Sequence, residues 1–137
     1  MNSDSFSSRS KPARVLVCGG RDYDDKETIY DVLDALHTDI GIICIISGAA
    51  RGADTLAINW AEDRAIPLHK YPANWDKYGK QAGALRNQQM LDEGKPDMVI
   101  AFPGGKGTAD MVMRTTALHE VVLLELSEPK KAEGFFK

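Results

Sequence analysis

Phe102-Pro103-Gly104-Gly105-Lys106-Gly107-Thr108-Ala109-Asp110 stands where one kind of sequence pattern gives way to another. Before it lies an apolar run, Met98-Val99-Ile100-Ala101, which reads as a strand covered on both faces. After it, Ala109, Val112, Met113, Thr116 and Ala117 recur at helical spacing. The glycines therefore mark a strand-to-helix turn. Such a turn leaves backbone N–H groups free at a helix N-terminus, where the macrodipole favours an anion. Glycine also lets that backbone approach a phosphate closely. A phosphate-binding loop is the expectation.

The same passage from strand through small residues to helix occurs twice upstream. Arg14 to Cys18 is a first strand, and Gly19-Gly20-Arg21-Asp22 follows it. Asp24 or Asp25 then caps a helix whose stripe is Ile29, Val32, Leu33 and Leu36. A second strand, Ile40 to Ile46, runs into Ser47-Gly48-Ala49-Ala50-Arg51-Gly52-Ala53-Asp54. The helix after it buries Ala53, Leu56, Ala57, Trp60 and Ala61. Pro67 to Tyr71 is a short third strand, and residues 72–79 read as a polar loop bearing Trp75 and Tyr78. A third helix, about Lys80 to Asp92, has a thin apolar face of Ala84, Leu85, Met90 and Leu91. Its middle, Arg86-Asn87-Gln88-Gln89, fits either a solvated helix or one that lends polar side chains to a site. Gly94 and Pro96 end it. Residues 97–102 form strand four, and 120–126 form strand five.

This alternation predicts an α/β fold of three layers, a mainly parallel sheet of about five strands with helices on both faces. The length of 137 residues fits one domain. Its expected span is 14–126, between a Ser-rich tail (1–13) and a charged tail (127–137) in which Phe135-Phe136 are candidates for docking. Apolar content of 43% and charged content of 27% are ordinary for a globular protein. No run approaches the ~18 apolar residues of a membrane span, and the N-terminus lacks a signal-peptide core. A cytoplasmic location without membrane association is expected. The net charge of −3 disfavours nucleic acid as a partner. Cys18 and Cys44 fit no metal spacing and read as small core residues. No metal site and no cofactor are expected, and His37, His69 and His119 read as structural.

In a sheet of this kind the strand-to-helix loops share one edge, and ligands bind where strand order reverses. Three such loops are rich in small residues: 19–22, 48–54 and 103–108. Arg21, Arg51, Lys77, Lys80, Arg86 and Lys106 fall in or near these loops and the third helix, which gives an acidic chain a basic mouth. The glycines match neither a Walker loop nor the three-glycine dinucleotide fingerprint. Trp75 is placed either to stack on a base or to pack its loop onto the body.

Pro103-Gly104-Gly105-Lys106-Gly107-Thr108 resembles the Pro-Gly-Gly-x-Gly-Thr motif of the LOG proteins, and Arg86-Asn87-Gln88-Gln89-Met90 is similar to their Arg-Lys-x-x-Met segment. Residues 17–23 and 48–54 resemble the YpsA-related branch of the wider SMF/DprA–LOG (SLOG) superfamily. So do Asn74-Trp75, Gly79-Lys80-Gln81-Ala82-Gly83 and Arg86-Asn87. The resemblance covers about residues 14–126. It implies a Rossmann-like fold that binds a nucleotide or nucleotide-derived ligand, and a homo-oligomer, since LOG relatives are dimeric.

The first functional expectation is therefore binding or sensing of a nucleotide-derived ligand, a nucleoside phosphate or an ADP-ribose-like molecule. Its expected contacts are Gly19, Gly20, Arg21, Asp22, Gly48, Arg51, Gly52, Asp54, Trp75, Asn87, Pro103, Gly104, Gly105, Lys106, Gly107 and Thr108. The alternative is a nucleoside 5′-monophosphate N-glycosidase, the LOG reaction, with Arg86 and Asp110 catalytic. Two glutamates of the LOG motif are here Asp110 and Met111, and Met111 cannot serve as acid, base or anion, so that chemistry would rest on Asp110. Single-stranded DNA binding is a third reading, disfavoured by the acidic balance.

Overall fold

A computed structural model describes residues 11–127. It holds five strands: β1 Ala13–Cys18, β2 Ile42–Ser47, β3 Leu68–Lys70, β4 Met98–Ala101 and β5 Val122–Glu125. All pair in parallel, in the order β3-β2-β1-β4-β5. The chain thus builds outward from β1 through β2 to β3, then crosses back to lay β4 on the other side of β1. The switch point lies between β1 and β4, whose pairing runs from Val15 opposite Met98 to Cys18 opposite Ala101. This is the Rossmann-like α/β fold expected from the alternation.

Alternation along each strand divides the core in two. Val15, Val17, Ile45 and Ile100 face one way, against Ile29 and Leu33 of helix α1 (Lys26–Asp39) and Ala57, Trp60 and Ala61 of α2 (Ala53–Asp63). Leu16, Cys18, Cys44, Ile46, Val99 and Ala101 face the other way. They meet Met90 and Leu91, which lie in a π-turn (Met90–Gly94) closing α4 (Ala82–Gln89), and Met111 of α5 (Lys106–Thr116). Asp25 is the α1 N-cap, its carboxylate accepting from the Thr28 N–H at 3.1 Å. Asp34 ties α1 to α2. It accepts from the Trp60 indole N–H at 2.8 Å and from two Arg64 nitrogens at 2.8 Å each.

Several elements differ from the sequence reading. Residues 72–79 are not all loop, because Asn74 caps a short helix, α3 (Trp75–Tyr78), through the Lys77 N–H. A tight turn, Gly79–Gln81, joins it to α4. Leu85, expected on the buried face of the third helix, is exposed, and Asn87 is buried instead. The stripe of α5 is also rotated. Met111 and Thr115 are buried, while Ala109, Met113 and Thr116 face outward. The Thr115 hydroxyl donates back to the Met111 carbonyl at 2.7 Å, which lets a polar residue join the core. β1 begins at Ala13, inside the expected tail. Phe135-Phe136 lie outside the described residues.

Candidate functional site

The loops after β1 and β4 meet at the switch point as backbone against backbone. The Gly20 N–H donates to the Pro103 carbonyl at 2.8 Å, and the Gly20 carbonyl accepts from the Ala53 N–H at 3.1 Å. All three glycine-bearing loops are therefore joined through Gly20. A Cβ on Gly20 would lie 3.0 Å from the Gly104 Cα and the Pro103 carbonyl oxygen. Gly52, at φ +84°, has no room for a side chain against the Gly20 carbonyl and the Arg21 backbone. These glycines hold the loops together. Gly105 and Gly107 differ, since open space surrounds the position where their Cβ would stand.

Above this junction lies an open cleft of ≈ 1400 Å³. Of the expected contacts, Gly19, Gly20, Arg21, Asp22, Asp54, Trp75, Asn87 and the whole run Pro103 to Thr108 line it, as do Arg86 and Asp110. Gly48, Arg51 and Gly52 do not. Gly48 is buried beneath Arg86, Gly52 lies under Gly20, and Arg51 points outward to pair with Asp22 at 3.3 Å. Lys80, Glu125 and Ser127 also line the cleft, although the sequence reading did not name them as contacts. For Glu125, which ends β5 at the carboxyl edge, and for Ser127 just beyond it the signal was position alone, whereas Lys80, in the turn Gly79–Gln81 before α4, belongs to the expected basic mouth.

Two walls of the cleft are built differently. On one, α5 starts at Gly105 with no side-chain cap and no acidic residue in its first turn. The earliest return bond is from the Ala109 N–H to the Gly105 carbonyl at 3.0 Å. The N–H groups of Lys106, Gly107 and Thr108 thus point out of the helix with no intrahelical acceptor. On the other wall, Arg86 of α4 is fixed by the protein. Its guanidinium donates to the Gly48 carbonyl at 2.5 Å, the Tyr71 carbonyl at 3.4 Å and the Asn87 side-chain oxygen at 3.2 Å. Asn87 passes the order on, its amide donating to the Gly107 carbonyl at 3.1 Å and to Asp110 at 3.0 Å. Arg114 closes the chain at 2.7 Å from Asp110 and 2.8 Å from Gln88. Of the polar run 86–89, Arg86 and Asn87 line the cleft, while Gln88 accepts from Arg114 and Gln89 is exposed.

The carboxylates of the cleft are not equivalent. Burial pushes Asp110 up, but the hydrogen bonds from Arg114 and Asn87 outweigh it and leave its pKa below the usual carboxylate value. Asp110 is thus an anion held in an i,i+4 pair. Asp54 is 7% exposed, and burial raises its pKa to about 6, against the Ala50 N–H bond and the charges of Arg86 and Arg21, which lower it. Burial likewise depresses the Arg86 pKa while Asp54 supports it. Cys18 at the floor is no nucleophile, because burial and then Asp54 push its thiol up to about 12. Met111 is wholly buried and does not face the cleft.

At the rim the Arg21 guanidinium lies 5.1 Å from the centre of the half-exposed Trp75 ring. The expected basic mouth is therefore tempered: Arg21, Lys80, Arg86 and Lys106 face Asp22, Asp54, Asp110 and Glu125. Arg114 and Arg51 offset two of these acids from outside. Among the described residues no group of three or more His, Cys, Asp or Glu is placed to hold a metal ion. None of their helices is long and apolar enough to cross a membrane.

The family model of the YspA, cpYpsA-related SLOG proteins matches residues 13–78. The gene 61 protein of Mycobacterium phage D29 is 38% identical over 99 residues, an alignment that covers 68% of this chain and 78% of that protein. Over residues 13–78 the chain belongs to this SLOG family. No solved structure matches it. The SLOG model spans β1 through α3, with the loops at 19–22 and 48–54 and Trp75. It ends before Arg86 and before the run at 103–108.

Proposed function

We propose that this SLOG domain binds a nucleotide-derived ligand, a nucleoside phosphate or ADP-ribose-like molecule, in the cleft at the carboxyl edge of the sheet. Membership of a SLOG family points to nucleotide-related function. The observation that carries the reading is the bare N-terminus of α5, with three unpaired N–H groups, the Thr108 hydroxyl and Lys106 around an opening unobstructed at Gly105 and Gly107. Those groups suit a phosphate. Arg86 stands fixed across the cleft for a second anionic group. Asp54 accepts from a ribose hydroxyl, and the Trp75–Arg21 pair supplies a face for the base. Calorimetry against inorganic phosphate, nucleoside mono- and diphosphates and ADP-ribose tests this. Binding of a nucleotide that weakens more than tenfold in Lys106→Ala is expected. A folded protein that binds none of them would refute it.

One observation favours a second reading, hydrolysis of a nucleoside 5′-monophosphate at its N-glycosidic bond. Asp54, not Asp110, has the raised pKa that a general acid needs at neutral pH. Chromatography of the products decides it. Release of free base that survives Asp110→Asn and disappears in Asp54→Asn is the expected pattern under this reading, and no release under any condition removes it.

A further inference from the structure

Residues 72–81, which supply Trp75 and Lys80 to the cleft, are built unlike the rest of the domain. None of the ten is buried, so neither α3 nor the turn after it places a side chain in the core. The posts on either side are fixed. The Tyr71 N–H donates to the Ser47 carbonyl at 2.8 Å, the Tyr71 carbonyl accepts from Arg86, and Ala82 is buried. Between the posts the hydrogen bonds are local. The Asn74 side chain accepts from the Lys77 N–H, the Asn74 carbonyl from the Tyr78 N–H and the Trp75 carbonyl from the Gly79 N–H. Trp75 carries the contact with the body. Its ring lies against Arg21 and over Gly83, where a Cβ would stand 3.3 Å from it. A segment without core residues, held by its own hydrogen bonds, opens at a small part of the cost of unfolding the domain.

Two further features bear on that opening. Gly79 joins α3 to the turn at φ +58° and ψ −134°, with open space where its Cβ would be. Only glycine moves freely through that region, so the joint can turn without the segment being remade. The cleft is also too wide for a snug fit. Its ≈ 1400 Å³ exceeds the roughly 300–1000 Å³ of sites that enclose a small molecule.

We propose that α3 and the turn after it are a lid, jointed at Gly79, which closes Trp75 and Lys80 over the ligand. This rests on the nucleotide site proposed above. Closure takes up the excess volume, excludes water from the ligand and brings the indole onto the base.

Trypsin and iodide test this on the full chain. Without ligand, trypsin cuts the folded protein after Lys77 or Lys80, at a rate that follows the local opening, and the fragments are identified by mass. Asn74→Ala removes the cap of α3 and lies outside the cleft lining. It speeds the cut about fivefold, whereas Asn74→Asp, which keeps a cap, does not. ADP-ribose or AMP at a hundred times its Kd slows the cut about tenfold or more. Trp60 is wholly buried, so iodide quenching reports Trp75, and the same nucleotides suppress it. Inorganic phosphate, which has no base to meet Trp75, changes neither readout. A ligand-free cut no faster than global unfolding, or one indifferent to Asn74→Ala, overturns the proposal, because the segment is then a fixed part of the domain. A chain that binds ADP-ribose or AMP in calorimetry while the cut proceeds as before overturns the lid and leaves the nucleotide site standing. A chain that binds neither nucleotide removes the site and the lid together.

Discussion

The junctions at 48–54 and 103–108 are the same device in sequence, a buried strand followed by small residues and a helix, and they end in opposite states. Both helices begin at a glycine with no side-chain cap, Gly52 for α2 and Gly105 for α5. At α2 the space is filled. The Gly20 carbonyl takes the Ala53 N–H, and the helix brings its own carboxylate, Asp54, into its first turn. At α5 nothing fills it, since the first turn has no acid and its N–H groups face the cleft. One junction already holds an anion and joins the loops. The other keeps an anion's place open. Glycine serves close packing in the first and access in the second.

The largest effect that separates them is on stability. Gly52 combines φ +84° and ψ −133°, a region closed to side chains, with backbone atoms where a Cβ would stand. Gly52→Ala is expected to cost about 3 kcal/mol or more, from strain plus displacement of the Gly20 loop. Gly107→Ala, inside α5 with open space around it, should instead hold or raise stability by up to about 1 kcal/mol. Chemical denaturation of both variants compares them. Equal losses would mean that the two junctions are alike after all.

The second effect concerns the acid that the closed junction contains. The pKa of Asp54 is raised from 3.8 to about 6. Between those values the folded state binds more protons than the unfolded, so stability falls as pH rises through that window and stays low above it. The cost of ionisation is on the order of 3 kcal/mol. Asp54→Asn should then stabilise the protein at pH 7 by about 1 to 3 kcal/mol, the lower end reflecting what Arg86 loses with its nearest anion. Below pH 4 the gain should vanish. Thermal unfolding across pH measures it, and a gain independent of pH would show that the carboxyl ionises normally in the folded protein. A loss of ligand affinity in the same variant would show that the acid is kept for function at the expense of stability.

The sheet was legible because its signals are local. Apolar runs such as Ile42–Ile46 and the stripe Ile29–Leu33–Leu36 state their own periods, and the alternation of strand and helix implies the parallel order. The residues at the sheet edge were legible for the same topological reason, which gathered Arg21, Asp54, Arg86 and the 103–108 run into one cleft. What the sequence did not carry was the rotation of a helix about its axis. On α5, Ala109, Val112, Met113 and Thr116 form as good a stripe as Thr108, Met111, Val112 and Thr115. Only packing against β4 and β5 chose the second. The turn of one position buried Met111, put Met113 on the outside and set Asp110 within reach of Asn87 on α4. Nor did the sequence show which glycines are crowded, since that depends on loops brought together by strands β1 and β4.

A smaller change should turn the open junction into the closed kind. Gly105 is the N-cap of α5 at φ −102°, which a side chain accepts, and nothing lies near its Cβ position. Gly105→Asp places a carboxylate where the unpaired N–H groups of α5 converge, as Asp54 does near α2. Replacing a glycine N-cap by aspartate is worth a few tenths of a kcal/mol, and its charge near the helix N-terminus adds about 0.5 kcal/mol, so the melting temperature should rise by a few degrees. The same carboxylate would occupy the anion position, and affinity for a phosphate-bearing ligand should fall at least tenfold. Gly105→Ala separates the two causes, because it adds bulk without charge and should neither cap the helix nor repel an anion. If Gly105→Asp gains stability and leaves nucleotide affinity unchanged, the end of α5 is an ordinary uncapped helix and the phosphate sits elsewhere in the cleft. If it loses affinity only as much as Gly105→Ala, the loss is steric and the helix end attracts no charge. A loss peculiar to the aspartate is the result that keeps the two junctions distinct in function as well as in form.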